Sequence, residues 1–281
     1  MYKKILITGA EGMLGSTICR VLEPFYHLTC VDYADFDIRA NVAVARFFAP
    51  QQFDAIVHCA AYTDVDRAED EAQKAILINA EGAKNLVENL RGKDSFLIYI
   101  STDYVFDGQK SAPYLEEDLP NPIGVYGLSK LKGEEAVAAL KKHIIIRTSW
   151  LFGPQGKNFI DTIARLSKEK DELEVVGDQR GSPTYTLDLS KAIKSFLDLY
   201  FEKGLKSGIY NVTNSGNCSW FELAKYILNL LNSSAKIKPI SSEVLNRKAK
   251  RPRNSVLSNE KFHALTGYYL PPWQEAVKHY I

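Results

Sequence analysis

Apolar residues recur along this chain as short runs, separated by longer stretches with helical periodicity. The runs at Ile5-Leu6-Ile7, 27–31, 55–59, 96–100 and 143–147 have strand length and are rich in Ile, Val and Leu. Helical patterns fill 16–22, about 71–90 and the Ala/Leu/Glu/Lys-rich run that ends at Lys142. Pro120 and Pro122 precede that last run and predict an extended entry into it. Strand and helix in alternation mean right-handed crossovers and a parallel sheet covered on both faces. From about Phe152 the pattern changes. Helices are predicted at 158–169, 185–201 and 220–231, strands at 173–176, 208–212 and 236–238, and a short helix at the C-terminus.

In such a sheet, ligands gather at the carboxyl ends of the strands. Five polar or glycine-rich stretches fall at predicted strand ends: 9–15, Asp32, 61–63, 101–103 and 148–150. The first follows its strand directly and opens a helix. Its spacing is Gly9-x-x-Gly12-x-x-Gly15 rather than the commoner Gly-x-Gly-x-x-Gly. Glycines there let a pyrophosphate approach the free N–H groups of the helix start. Asp32, about 20 residues further on, suits a ribose hydroxyl and leans towards NAD, because a 2′-phosphate would meet like charge. Asp37-Ile38 could lie beside an adenine, and Asp35 reads as a polar loop residue. Arg39 nearby leaves NADPH open.

Tyr126 and Lys130 stand four residues apart and share a helix face. An ammonium beside a phenol is expected to pull the tyrosine pKa down towards neutrality, fitting it for proton transfer. With 15 Tyr and 24 Lys among 281 residues, roughly one such pair arises by chance, so the spacing needs its surroundings to give it meaning. The basic loop 247–253 reads as a solvated turn, although Arg180 or Arg251 could instead grip a phosphate.

Composition removes several classes. Net charge is +1, which argues against a nucleic-acid or membrane surface. No apolar stretch approaches the ~20 residues that span a bilayer, and no leader peptide is read, so a cytoplasmic protein is expected. Cys19, Cys30, Cys59 and Cys218 show no metal or disulfide spacing and read as buried, reduced thiols.

Taken together, Ser101-Thr102-Asp103-Tyr104-Val105-Phe106-Asp107-Gly108, Tyr126-Gly127-Leu128-Ser129-Lys130, Arg147-Thr148-Ser149-Trp150, Gly181-Ser182-Pro183-Thr184 and Arg251-Pro252-Arg253-Asn254-Ser255 resemble the extended short-chain dehydrogenase/reductase family. The resemblance spans essentially the whole chain. Asp103-Tyr104 stands where the sugar-nucleotide 4,6-dehydratases of that family usually carry Asp-Glu.

The resemblance implies an α/β fold: a Rossmann-type doubly wound parallel sheet with a smaller C-terminal α/β substrate domain. Residues 1–152, rejoined by about 185–212, would bind the dinucleotide; about 153–184 and 213–281 would bind substrate. The cofactor would be NADH or NADPH. Gly12, Met13 and Leu14 would follow its pyrophosphate, with Gly9 and Gly15 shaping the turn. Asp32 would hold the ribose, Asp37 and Ile38 would border the adenine, and Ala61, Tyr62, Thr63 and Ile100 would line its further course. Lys130 would hold the nicotinamide ribose. Tyr126 would protonate the 4-oxygen of a dTDP-linked 4-keto-6-deoxy sugar, with Thr102 polarising the carbonyl. Thr102, Asp103, Tyr126, Trp150 and either Arg180 or Arg251 would contact that substrate. No metal is carried over, because Thr17 occupies the helix position that supplies one in some relatives. A homodimer is compatible with the resemblance. Two other readings stay open: a reductase or epimerase of another nucleotide-linked 4-keto-6-deoxy sugar, and a non-catalytic regulatory subunit of the methionine adenosyltransferase type.

Overall fold

The structure is a computed structural model and describes residues 2–281. Five apolar runs become the strands β1 (Lys4–Thr8), β2 (His27–Val31), β3 (Ala55–His58), β4 (Phe96–Thr102) and β5 (His143–Thr148). Gly208–Asn211 adds a sixth strand beside β5. All six run parallel, in the order Gly208–Asn211, β5, β4, β3, β1, β2. Every residue of β3, β4 and β5 is buried, as a two-sided parallel sheet requires.

Helices cover both faces. On one side Ile18 and Leu22 of α1 (Met13–Leu22) pack with Leu189, Ile193 and Phe196 of the Thr186–Lys203 helix against Ile5, Ile7, Ile98 and Ile146. On the other, Val44 and Phe48 of α2 (Asn41–Phe48) and Leu86 and Leu90 of the Gly82–Leu90 helix cover Leu6, Ile56, Leu97 and Ile145. The protein therefore has a doubly wound α/β sheet. Its strand order reverses between β1 and β3, where a crevice opens at the carboxyl edge.

A separate apolar cluster gathers Phe152, Ile160, Leu173, Val175, Leu223, Ile227, Trp273 and Val277. Around it lie the helices Phe159–Glu169, Trp220–Leu230 and Trp273–Tyr280, and the parallel pair Glu172–Val176 with Lys236–Ile240.

Among the described residues, the helices longer than five residues that escape the sequence pattern are α2 and Glu260–Thr266. Neither has a side-chain N-cap. The Asn41–Phe48 segment also carries Val and Phe residues that favour helix weakly, so burial of Val44 and Phe48 decides its structure.

Candidate active site

One cleft of about 1070 Å³ runs along the carboxyl edge of the sheet, large enough for a dinucleotide and part of a second ligand. At its floor β1 leads into Gly9, whose φ is 70°, and a Cβ there would lie 2.5 Å from the Ala60 nitrogen. A Cβ at Gly15 would lie 2.0 Å from the Gly9 carbonyl oxygen. Only glycine permits this approach of loop, strand and helix. The start of α1 has Gly12 as its N-cap and no side-chain cap, which leaves its first N–H groups to a ligand in the cleft.

Asp32 ends β2 on the cleft wall. Its Oδ2 accepts the Glu11 backbone N–H at 2.9 Å and its Oδ1 accepts the Tyr33 N–H at 2.8 Å. The carboxylate therefore fixes the glycine loop as well as facing the crevice. Asp37 is gripped by Arg39, Nη2 to Oδ2 at 2.7 Å, and this guanidinium holds its carboxyl below the usual range. Arg39 in turn lies beneath the Tyr33 ring, 5.7 Å from its centroid. Ile38 closes that end.

Asn79 ties the next segment down from a π-helical turn, Leu77–Glu81. Its side chain pairs with both backbone groups of Tyr62, at 2.8 and 3.0 Å, and donates to the Ser129 hydroxyl at 2.9 Å. This fixes Ala61 and Thr63 on the cleft wall and links them to the helix Val125–Ala138. The Tyr62 side chain turns aside to Glu71, at 3.2 Å, and does not line the cleft.

Val125–Ala138 carries Tyr126 and Lys130 into the cleft, opposite Ile100, Thr102 and Asp103 at the end of β4. Glu134 locks this helix to the sheet. Its carboxylate takes Arg147 Nε at 3.0 Å, Arg147 Nη2 at 2.7 Å and the Ser101 hydroxyl at 2.5 Å, all out of solvent. Lys130 is 3% exposed and lies over the face of Tyr99, 4.1 Å from the ring centroid.

The electrostatics differ from the sequence expectation. Burial pushes the Tyr126 phenol up to about 12, against a lowering by the Thr102 hydroxyl and with a raising by Asp103. Desolvation pushes Lys130 down to about 7, opposed by Glu134 and Cys59. The lysine thus loses its own charge near neutrality instead of drawing the phenol down, because both groups leave water together. A phenol that keeps its proton at pH 7 is suited to giving it away, not to starting as a phenolate. Burial also raises Asp103 to about 7, although Thr102 donates to its Oδ1 at 3.0 Å. Asp103 Oδ2 and Thr148 Oγ1 are buried without partners, and both residues line the cleft.

At the far end Trp150, held at φ 48°, stacks on Trp220 with ring centroids 3.4 Å apart and planes 6° from parallel. Arg180 and Arg251 are not on the cleft wall. Arg180 faces Glu222 and Asn217, and both Nη atoms of Arg251 bind Asp66 at 2.9 Å. Existing carboxylate partners hold both guanidiniums away. Lys157 and Trp220 also line this end, and the sequence did not single them out. Trp220 had a local signal, since Ser219 and Glu222 form a capping box that fixes the start of its helix.

A glycine cradle at a helix start, an acid at the end of the second strand and a Tyr/Lys/Thr group over one crevice define a dinucleotide-binding α/β protein of the reductase kind. A Cβ would fill the cradle, and the crevice offers unpartnered polar atoms; the residues present fit a nicotinamide dinucleotide. The chain belongs to the family described as RmlD substrate binding domain, whose model matches residues 3–281. The Bacillus subtilis spore coat polysaccharide biosynthesis protein SpsK is 39% identical over 99% of this chain and 96% of its own length. The dTDP-4-dehydrorhamnose reductase of Sinorhizobium fredii is 36% identical over 98% of this chain and 95% of its own. The crystal structure of dTDP-4-dehydrorhamnose reductase from Bacillus anthracis in complex with NADP superposes with a TM-score of 0.95 at 39% identity, covering 100% of this chain and 99% of that one.

Proposed function

We propose that the protein reduces the 4-keto group of dTDP-4-dehydro-L-rhamnose to give dTDP-L-rhamnose, with NADPH or NADH as cofactor. The observation that carries this reading is the meeting of Thr102, Tyr126 and Lys130 with the glycine loop and Asp32 on one cleft, in a chain of this family. Gly9, Gly12, Met13, Leu14, Gly15, Asp32, Ile38, Ala61, Thr63 and Ile100 would hold the dinucleotide, which supplies the hydride when bound. Tyr126 holds a proton at neutral pH and gives it to the C4 oxygen. The Thr102 hydroxyl supports the charge growing on that oxygen. Lys130 holds the nicotinamide ribose and returns a proton to the phenol, a task matched to its pKa of about 7. Asp103, half-protonated near pH 7, can both donate to and accept from a sugar hydroxyl. The Trp150–Trp220 stack offers an apolar face to the ligand.

Asp32 favours NADH, whereas Arg39 on the same wall suits a 2′-phosphate, so both cofactors are expected to turn over. The same reading assigns the sheet with residues 185–212 to the dinucleotide and the later cluster to the sugar nucleotide, in a cytoplasmic enzyme. The test is product analysis with a panel of dTDP-linked 4-keto-6-deoxy sugars. dTDP-L-rhamnose should form fastest from the L-lyxo substrate. Faster turnover of a different keto sugar would move the assignment to that sugar, and cofactor binding without turnover on any would favour the regulatory-subunit reading.

A further inference from the structure

Two of the four cysteines meet outside the cleft. Cys19 on α1 and Cys30 on β2 bring their sulfurs to 2.6 Å, closer than two unbonded sulfurs sit, so the two side chains point directly at each other. Neither is buried as the sequence suggested: Cys30 is exposed and Cys19 partly so. The reason is topological. β2 is the outer strand of the sheet, and position 30 faces the rim of α1 rather than the core. The pair also sits where it matters for the cofactor, since α1 starts the pyrophosphate cradle and Asp32 lies two residues beyond Cys30.

We propose that Cys19 and Cys30 are a modification site at which a peroxide forms a reversible intramolecular disulfide. The Cys30 thiolate attacks one peroxide oxygen, the O–O bond breaks, and a sulfenic acid and water result. The Cys19 sulfur then attacks the Cys30 sulfur, and the sulfenic oxygen leaves as a second water with the thiol proton. Two thiols are oxidised and one peroxide is reduced to two waters. Exposure divides the roles: Cys30 is open to solvent and Cys19 only partly so, which makes Cys30 the thiol a peroxide reaches first. The two sulfurs already adjoin, so closure to a bond length of about 2.05 Å asks for side-chain adjustment at the two cysteines. The bond closes a short loop between α1 and β2 and stabilises this part of the sheet against unfolding. Cys218, buried in the separate apolar cluster, serves as an internal control.

The test is peroxide treatment of the full-length protein, followed by trypsin without reductant and mass spectrometry. The expected product is peptide 5–20 joined to peptide 21–39, each of which carries one of the two cysteines, and its loss on addition of a dithiol. Thermal melting of the oxidised protein should rise by roughly 5 °C, with cofactor affinity unchanged within twofold. In Cys19→Ser the linked peptide should vanish and Cys30 should pass on to sulfinic acid. Overturning results are equally definite: sulfinic acid on Cys30 of the wild-type protein with Cys19 still free, a disulfide joining two copies of the chain, or four thiols left intact under conditions that oxidise glutathione.

Discussion

At the level of single residues, burial rather than pairing sets the chemistry of the site. Tyr126 keeps its proton, Lys130 hovers near neutrality and Asp103 shares that range, all because the cleft takes them out of water. Tyr126→Phe removes the phenol hydroxyl while leaving Lys130 in the cleft. It should cut kcat about 10²–10⁴-fold and leave dinucleotide affinity by calorimetry within a few-fold. A variant that turns over at the wild-type rate would remove Tyr126 from this role. The rate of reduction, as kcat/KM, should fall as pH rises through about 7, where the Lys130 ammonium is lost. Asp103 titrates in the same range, so the profile of Asp103→Asn separates the two: the limb should persist, and its disappearance would assign it to Asp103.

Asp103 also links pH to stability. Its folded pKa of about 7 lies above that of an exposed carboxyl, so the folded state binds the proton more tightly. Its contribution is full below the unfolded pKa of about 4 and is lost as pH rises to about 7. Asp103→Asn, which cannot ionise, should gain stability on the wild type across that interval and hold a constant advantage above it. Urea denaturation at pH 4, 6 and 8 would show this, and a difference independent of pH would contradict it.

At the scale of elements, two devices place the helix that carries Tyr126 and Lys130. Asn79 in its π-helical turn holds the 61–63 segment and Ser129 together, and the Glu134–Arg147 pair bolts Val125–Ala138 to β5. Glu134→Ala strands a guanidinium that is 1% exposed, and should cost about 3–5 kcal/mol in urea denaturation. Replacing both partners by apolar residues of similar volume should recover most of that loss. Gly15→Ala places a methyl against the Gly9 carbonyl and should weaken both NADH and NADPH more than tenfold by calorimetry. These devices were only half legible in the sequence. The glycines, Asp32, Tyr126, Lys130 and Thr102 announce themselves by spacing and by their places at strand ends. Asn79, Ser129, Glu134 and Arg147 do not, because their partners lie tens of residues away and look like ordinary helix and strand positions.

At the scale of the whole molecule, the alternation of apolar runs disclosed the doubly wound sheet, since a strand buried on both faces has few other sequence solutions. The α2 helix stayed hidden because its helicity comes from packing on Leu86 rather than from its own residues. Arg180 and Arg251 show the converse limit: a guanidinium in a polar or basic loop looks free in the sequence, but Glu222, Asn217 and Asp66 already occupy them. Tyr126 and Lys130 both line the cleft, but with electrostatics other than the spacing suggests, since a shared loss of solvent cannot be seen along a chain. Family membership over residues 3–281 extends the likeness to the whole cleft rather than to the parallel sheet alone.

The most direct measurement follows the nicotinamide absorbance while the protein acts on freshly made dTDP-4-dehydro-L-rhamnose with NADPH, and separately with NADH. The expected result is consumption of one nicotinamide per dTDP-L-rhamnose formed, at a rate that Tyr126→Phe lowers by about 10²–10⁴-fold. Tight cofactor binding with no oxidation under either condition would contradict the reductase assignment.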